Sequence, residues 1–140
     1  MDIFERINSL NLPPSNFVVV GGSALECYGV RKSSDIDLCV TPDLYDDLKN
    51  SGWEGETKPN GSQVIHPQSK NGFELGVDWS YGNYQATTQE LIDRSNLVRG
   101  IHVASLEDII AYKKELGREK DQEDIRLIND YLTNKMSNGQ

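Results

Sequence analysis

The sequence predicts an α+β fold in which helices pack on a small mixed β-sheet, and three observations support this. Residues 17–20, FVVV, form a β-branched apolar run, which is typical of a strand buried on both faces. Residues 35–40 and 73–78 alternate polar with apolar side chains, which is the period of a strand with two unlike faces. The residues after 105 show helical spacing, so strands come first and helices last, as in α+β proteins.

The first half of the chain divides into alternating helices and strands. Residues 2–10 place apolar side chains at helical spacing, and two prolines then end the pattern. After the first strand, Ser23 marks the start of a helix that closes near Gly29. Residues 44–53 form another helical stretch, and the turn-rich residues 54–72 predict a hairpin with a loop.

The second half is predicted to be mainly helical. Residues 89–98 have a helical pattern, and residues 100–105 form a short edge strand. Ser105 and Asp108 make an S-x-x-D capping box at the start of a clear helix. Residues 118–135 continue as a second helix with one apolar stripe, which gives a C-terminal helical pair.

The bulk composition indicates one globular domain covering residues 1–140, because 36% of the residues are hydrophobic and 26% are charged. No signal-like N-terminus and no long apolar run occur, so we expect a cytoplasmic protein with no membrane contact. Cys27 and Cys39 are expected to be small reduced core residues. The net charge of −8 argues against a broad nucleic-acid-binding face.

Asp35 and Asp37 are the candidate catalytic residues, since residues two apart on a strand share one face. The two negative charges repel each other at this spacing, so a cation is expected between them. Magnesium is commonly held by one or two carboxylates together with substrate phosphates. The pair therefore points to nucleoside triphosphate chemistry, although an isolated Asp-x-Asp is more often a solvated strand face.

The residues Gly21, Gly22 and Ser23 lie between the first strand and a helix. Glycines there let the main chain approach a phosphate, and the helix N-terminus adds N–H donors. Taken alone, the same residues could be a tight turn with a serine cap.

Together, Gly22-Ser23, eleven residues, and Asp35-Ile36-Asp37 resemble the signature of the polymerase-beta-like nucleotidyltransferase superfamily. The resemblance implies a palm at about residues 17–80, in which the glycine turn and Ser23 hold the triphosphate and both aspartates bind the metals. The superfamily also has a third carboxylate on a later strand. Asp78 in GVDWS matches it, and Glu74 on the same predicted face is the alternative.

Residues 103–128 resemble the helical close of the AbiEii-like branch of this superfamily, which places the helical pair at about residues 105–134. The branch shows Leu-Glu-Asp, a lysine, and then Gly-Arg-x-Lys-Asp-x-x-Asp. The matching residues are Lys113, Gly117, Arg118, Lys120, Asp121 and Asp124. The resemblance implies that Lys113 and Lys120 lie near the triphosphate and that Asp121 orients the helix junction.

Charge considerations add a further cation, because three carboxylates and a triphosphate need more than metal to balance them. Arg31 is placed close to the aspartates, where it either contacts phosphate or pairs with a carboxylate, and the sequence leaves both open. Trp79 and Tyr81 are interpreted as packing residues, with stacking on a base or acceptor as the alternative.

The expected activity is transfer of a nucleoside monophosphate from a nucleoside triphosphate to a hydroxyl acceptor, with release of pyrophosphate. Two Mg²⁺ ions, or Mn²⁺, are the expected cofactors, and Asp78 is a candidate general base. The acceptor stays open between tRNA or another RNA, a protein and a small hydroxylated molecule, as do a partner protein, a homodimer and a toxin–antitoxin pair. A catalytically inactive nucleotide-binding or regulatory protein on the same fold is the alternative.

Overall fold

The computed structural model describes residues 2–68 and 72–137, and within them the chain forms seven strands and six α-helices. The helices are α1 Ile3–Asn8, α2 Gly21–Tyr28, α3 Pro42–Asn50, α4 Thr88–Arg94, α5 Leu106–Leu116 and α6 Glu119–Ser137. The strands are β1 Phe17–Val20, β2 Ile36–Val40, β3 Glu54–Thr57, β4 Gln63–His66, β5 Phe73–Gly76, β6 Asn96–Val98 and β7 Ile101–Val103. No helix in the described ranges is long and apolar enough to cross a bilayer.

All seven strands form one mixed sheet in the order β3-β4-β5-β2-β1-β7-β6. β2 runs antiparallel to β1 and parallel to β5, while β1 runs parallel to β7. This architecture confirms the predicted α+β class with a mixed sheet. The antiparallel hairpin of β3 and β4 confirms the hairpin predicted within residues 54–72, of which 69–71 lie outside the described residues.

The core of the protein lies around β1, whose four residues are all buried. Its apolar side chains contact helices on the sheet faces, as the uniformly apolar sequence FVVV predicts. Cys27 and Cys39 are buried free thiols in this core, in agreement with the sequence, and burial raises the pKa of Cys27 to about 12. The sheet centre is therefore a rigid base for residues at the strand ends.

The structure differs from the prediction after α4. The predicted helix over residues 89–98 ends at Arg94, because residues 96–98 pair with residues 101–103 as an antiparallel hairpin. Arg99 and Gly100 connect the two strands with φ angles of +52° and +79°, the conformation that two-residue hairpin turns favour. Consequently β7 lies inside the sheet, and β6 forms the edge that was predicted for residues 100–105.

Two further boundaries matter for the site. α2 begins at Gly21 rather than at Ser23, so Ser23 lies in the first turn and is not the cap. β5 ends at Gly76, so Asp78 follows the strand and is held by an isolated bridge to Thr87. The predicted strand over residues 73–78 is thus two residues too long. At the C-terminal pair, Ser105 caps α5 as predicted, accepting a hydrogen bond from the Asp108 N–H.

Candidate active site

The turn between β1 and α2 brings the main chain against two functional side chains. Gly21 has a φ of +64°, and a Cβ there would lie 3.1 Å from Asp37 Oδ2. A Cβ on Gly22 would lie 3.0 Å from Nη2 of Arg31. Val20 at the N-cap has no side-chain hydrogen bond to the helix, so the first-turn N–H groups are not capped by it. The glycines therefore allow the Asp37 and Arg31 side chains to lie close to the main chain, and the approach of a phosphate to this turn stays a prediction.

Ser23 lies underneath this turn and is fully buried. Its hydroxyl donates a hydrogen bond to the Val20 carbonyl at 2.7 Å and accepts one from the Asp37 N–H at 3.0 Å. These bonds tie the end of β1 to β2 at the aspartate. Ser23 thus fixes the main chain of Asp37. Its hydroxyl is engaged with main-chain atoms, whereas the family resemblance implies a contact with phosphate.

The carboxylate pair lies at the start of β2, beside the glycine turn. Asp35 is exposed just before the strand, and Asp37 is partly buried within it. Burial, followed by the negative charges of Glu74 and Asp35, raises the pKa of Asp37 to about 6, although Lys58 and Lys113 oppose this. The repulsion that the sequence predicts is therefore present.

Two residues compete for the place of a third carboxylate. Glu74 is the register neighbour of Asp37 on β5, and Lys58 Nζ contacts its two oxygens at 2.7 and 3.0 Å. Asp78 is exposed beyond the strand end and lines the same cavity as Asp37 and Glu74. Across residues 2–68 and 72–137, no group of three acidic, histidine or cysteine side chains could hold a metal ion. Asp35 and Asp37 thus line one cavity together, and Asp78 is not part of that lining.

A network of five charged residues connects the C-terminal helices to the glycine turn. Arg31 Nε and Nη2 donate to Asp124 Oδ1 and Oδ2 at 2.7 and 2.8 Å. Lys113 Nζ lies 2.9 Å from Asp124 and 3.5 Å from Asp121, and Arg118 Nε donates to Asp121 at 2.6 Å. We call these residues the ion-pair network. The structure therefore shows Arg31 paired with a carboxylate, and its contact with a phosphate stays a prediction.

The two predicted phosphate-binding lysines differ sharply in environment. Lys113 is 7% exposed and both of its partners are network aspartates. Lys120 is exposed and makes no ion pair with any residue in the described ranges. Both line the cavity that also contains Gly21, Gly22 and the aspartate pair. Lys120 is thus the more available cation, while Lys113 holds the helix junction together.

The network aspartates are held in their charged form. Burial alone would raise the pKa of Asp124, but hydrogen bonds from Arg31 and Lys113 outweigh it and lower the pKa below 3.8. For Asp121, burial is likewise outweighed by hydrogen bonds from the Arg118 side chain and N–H, and its pKa is also lowered. Asp121, in the first turn of α6, therefore accepts bonds from Lys113 on α5 and from Arg118 in the connection between the two helices.

Two cavities meet at Asp37. The first, of about 300 Å³, contains the glycine turn, the aspartate pair and the network. The second, of about 450 Å³, contains Lys58, Glu74 and Asp78. Five residues line both cavities: Asp37, Trp79, Tyr112, Arg118 and Lys120. Asp37 is therefore accessible from both cavities.

An aromatic pair forms part of the shared wall. The rings of Trp79 and Tyr112 are stacked with centroids 4.0 Å apart and an angle of 3° between their planes, and Tyr84 contacts both edge-on. Trp79 thus packs and lines the cavities at once, whereas Tyr81 is 46% exposed and lies outside both linings. Sequence reasoning missed Tyr112, although its place directly before Lys113 on the helix was an available signal.

The pKa shifts predict a pH profile for the free energy of unfolding. Between about pH 4 and 6 the folded chain retains a proton on Asp37 that the unfolded chain has lost, so stability rises as the pH falls through 6. The lowered pKa values of Asp121 and Asp124 act in the opposite sense: their contribution is present above 3.8 and is lost below it.

We therefore expect a stability maximum between about pH 4 and 5, measured by urea unfolding with a chelator present. The substitution Asp37→Asn should flatten the rise on the neutral side and leave the acid side unchanged. A wild-type stability that only decreases from pH 7 downwards would contradict this assignment.

The comparisons with known proteins agree with this geometry at the level of the fold. No protein-family model matches the chain, and no curated protein matches it. Among solved structures, it is similar to the crystal structure of ANT(2")-Ia in complex with adenylyl-2"-tobramycin, with 19% identity and a TM-score of 0.54. The match covers 94% of this chain and 86% of that one. This likeness confirms the α+β fold with a mixed sheet and packed helices that the sequence predicts, and it shows the fold alone.

Proposed function

We propose that this chain is a metal-dependent nucleotidyltransferase of the AbiEii-like kind, acting in the cytoplasm as a single domain. It would transfer a nucleoside monophosphate from a nucleoside triphosphate to a hydroxyl acceptor and release pyrophosphate. The observation that carries the proposal is the first cavity, where the Gly21–Gly22 turn, the carboxylates of Asp35 and Asp37, and Lys120 converge from three distant segments.

The carboxylate pair has the donor chemistry for Mg²⁺, which takes oxygen ligands and usually combines one or two carboxylates with phosphate oxygens. The raised pKa of Asp37 agrees with this fit, because burial and then the negative charges of Glu74 and Asp35 outweigh the neighbouring cations. Asp35 and Asp37 would hold two Mg²⁺ ions, or Mn²⁺. When bound, such ions stabilise charge on the attacking and leaving oxygens of an in-line displacement.

The chain's own residues would bind and orient the triphosphate. The N–H groups at the start of α2 are donors suited to phosphate oxygens, and the absence of a Cβ at Gly21 and Gly22 allows contact. Lys120 and Arg31 would neutralise phosphate charge, and Lys113 would act through the network that it holds together. Ser23 would support the turn from beneath.

Asp78 is the proposed third carboxylate, on the acceptor side of Asp37. It lines the second cavity and forms no ion pair with the described residues, whereas Glu74 is neutralised by Lys58. A free carboxylate there can take the proton from an acceptor hydroxyl, which is the work of a general base. Measuring nucleotidyl transfer by Glu74→Gln and by Asp78→Asn separately would show which of the two is the third carboxylate.

The proposed acceptor is a small hydroxylated molecule bound in the second cavity. Its volume of about 450 Å³ lies within the range of small-molecule sites, and the net charge of −8 disfavours a long RNA. The similar solved structure contains an adenylylated small molecule, adenylyl-2"-tobramycin, which agrees with this class. RNA ends and proteins remain outcomes of the test.

One observation favours a second candidate function, nucleotide binding without turnover. In the part of the chain that the structure describes, no third carboxylate joins Asp35 and Asp37 in a metal-binding group. A chain that binds the triphosphate through two carboxylates but lacks the third could serve as a regulatory protein.

The test combines binding with transfer. We expect a nucleoside triphosphate with Mg²⁺ to stabilise the protein by about 3 kcal/mol at a hundredfold excess over its Kd, and neither component alone to do so. Labelled triphosphates incubated with RNA, protein and small-molecule fractions of a cell extract should then label the small-molecule fraction. Stabilisation without labelling would favour the binding protein, and the absence of both would overturn the proposal.

A further inference from the structure

We propose that Asp124 is a positioning residue of the triphosphate site, which holds the guanidinium of Arg31 above Gly22. This inference rests on the proposed function, since it concerns how the triphosphate is bound. Asp124 is a motif position whose role the sequence leaves unassigned, and it lies 93 residues from Arg31 along the chain.

The geometry shows how completely Arg31 is oriented. Two of its N–H groups donate to the two oxygens of Asp124 in a fork, and Nη1 donates to the Lys32 carbonyl at 2.8 Å. Arginine has five N–H donors, so two stay available, one on each terminal nitrogen. Those nitrogens lie 3.0 and 3.3 Å from where a Cβ on Gly22 would be. The free donors are thus carried by the atoms that lie over the glycine turn.

Asp124 acts through these cations and not by direct contact with substrate. Its side chain is 8% exposed, and both of its oxygens are occupied by Arg31, with Lys113 Nζ also 2.9 Å from Oδ2. A buried carboxylate whose two oxygens are both occupied has no donor for a polyanion. It therefore affects the binding of a polyanion only through the positions of its cationic partners.

Two physical effects of removing this carboxylate oppose each other. A free arginine side chain loses rotamer entropy when a ligand orders it, so releasing Arg31 weakens triphosphate binding. Removing a negative charge makes the cavity more positive, which strengthens triphosphate binding. Because Asp121 still neutralises Lys113 and Arg118, we expect the loss of orientation to dominate.

The test measures binding of a non-hydrolysable triphosphate analogue with Mg²⁺, alongside steady-state kinetics. Asp124→Asn should raise Kd and KM about tenfold while kcat changes less than about threefold. Arg31→Lys keeps the charge but removes the fork, and should give a similar rise. The double variant should bind no more weakly than either single variant, because both act through one interaction.

Asp130→Asn is the matched control, since it makes the same change in an exposed ion pair with Arg126 on the same helix. Unchanged or tighter binding by Asp124→Asn, or a double variant about a hundredfold weaker, would overturn the inference. If Asp124→Asn does not fold, Arg31→Lys provides the test. An unchanged Kd of Arg31→Lys for the triphosphate analogue would refute the inference. Absence of binding by the wild-type chain would instead refute the proposed function.

Discussion

Asp37→Asn is expected to abolish nucleotidyl transfer, lowering kcat at least about a thousandfold, while making the metal-free protein more stable. The carboxylate lines both cavities, so under the proposed function its charge lies where the triphosphate and the acceptor would meet. In the free protein the same charge is repelled by Glu74 and Asp35 in a partly buried position. A functional site is where such a conflict between stability and activity is expected.

The size of the stabilisation follows from the shift in pKa. The pKa of Asp37 rises from 3.8 to about 6, and each unit corresponds to 1.36 kcal/mol, so the gain above pH 6 is at most about 3 kcal/mol. Urea unfolding in a chelator and the transfer assay measure the two effects. Asp46→Asn, on the exposed face of α3, is the control and should change neither. Retained activity in Asp37→Asn would exclude its proposed role.

The second large effect is expected for Asp121→Ala, which should lower the free energy of unfolding by about 3 kcal/mol. Asp121 has 0% exposure and accepts hydrogen bonds from the Arg118 side chain, the Arg118 N–H and Lys113. Its removal leaves Lys113 buried with Asp124 as its remaining partner. The junction between α5 and α6 therefore loses the carboxylate that bonds to both Lys113 and Arg118.

Asp130→Ala provides the comparison on the same helix. Its side chain is 58% exposed and pairs with an equally exposed Arg126, so the change should cost less than about 1 kcal/mol. Urea midpoints and slopes for the two variants check the difference. Equal effects would mean that burial of the network does not contribute to stability.

Local sequence signals predicted most of the elements that carry the site. The alternation in residues 35–40 predicted a strand with two aspartates on one face, and β2 contains Asp37 while Asp35 lies one residue before it. The glycines predicted a close approach of the main chain, and they form the first residues of α2. Both follow from the geometry of neighbouring residues, which the chain determines within a few positions. The capping residue Ser105 of α5 was predicted for the same reason.

The errors arose where short apolar segments have no decisive period. Residues 96–98 continued the helical pattern of residues 89–95, but pairing with residues 101–103 across the Arg99–Gly100 turn supplies main-chain hydrogen bonds to both segments as strands. At β5, the alternation extends to Asp78, yet pairing with β2 stops at Gly76 opposite Cys39. Where a strand ends depends on its neighbour, which the local pattern does not contain.

By itself, the sequence determined the α+β class, the glycine turn and the aspartate pair, because these depend on short-range geometry and residue type. Only the tertiary structure decided that Arg31 pairs with Asp124 and that Ser23 lies beneath the turn. It also decided that Lys113 is buried while Lys120 is exposed. Such pairings join residues far apart in the chain, and burial is set by what packs above a side chain. The opposite charges in the sequence permitted several partners, and the packing of α5 and α6 against the turn selected one.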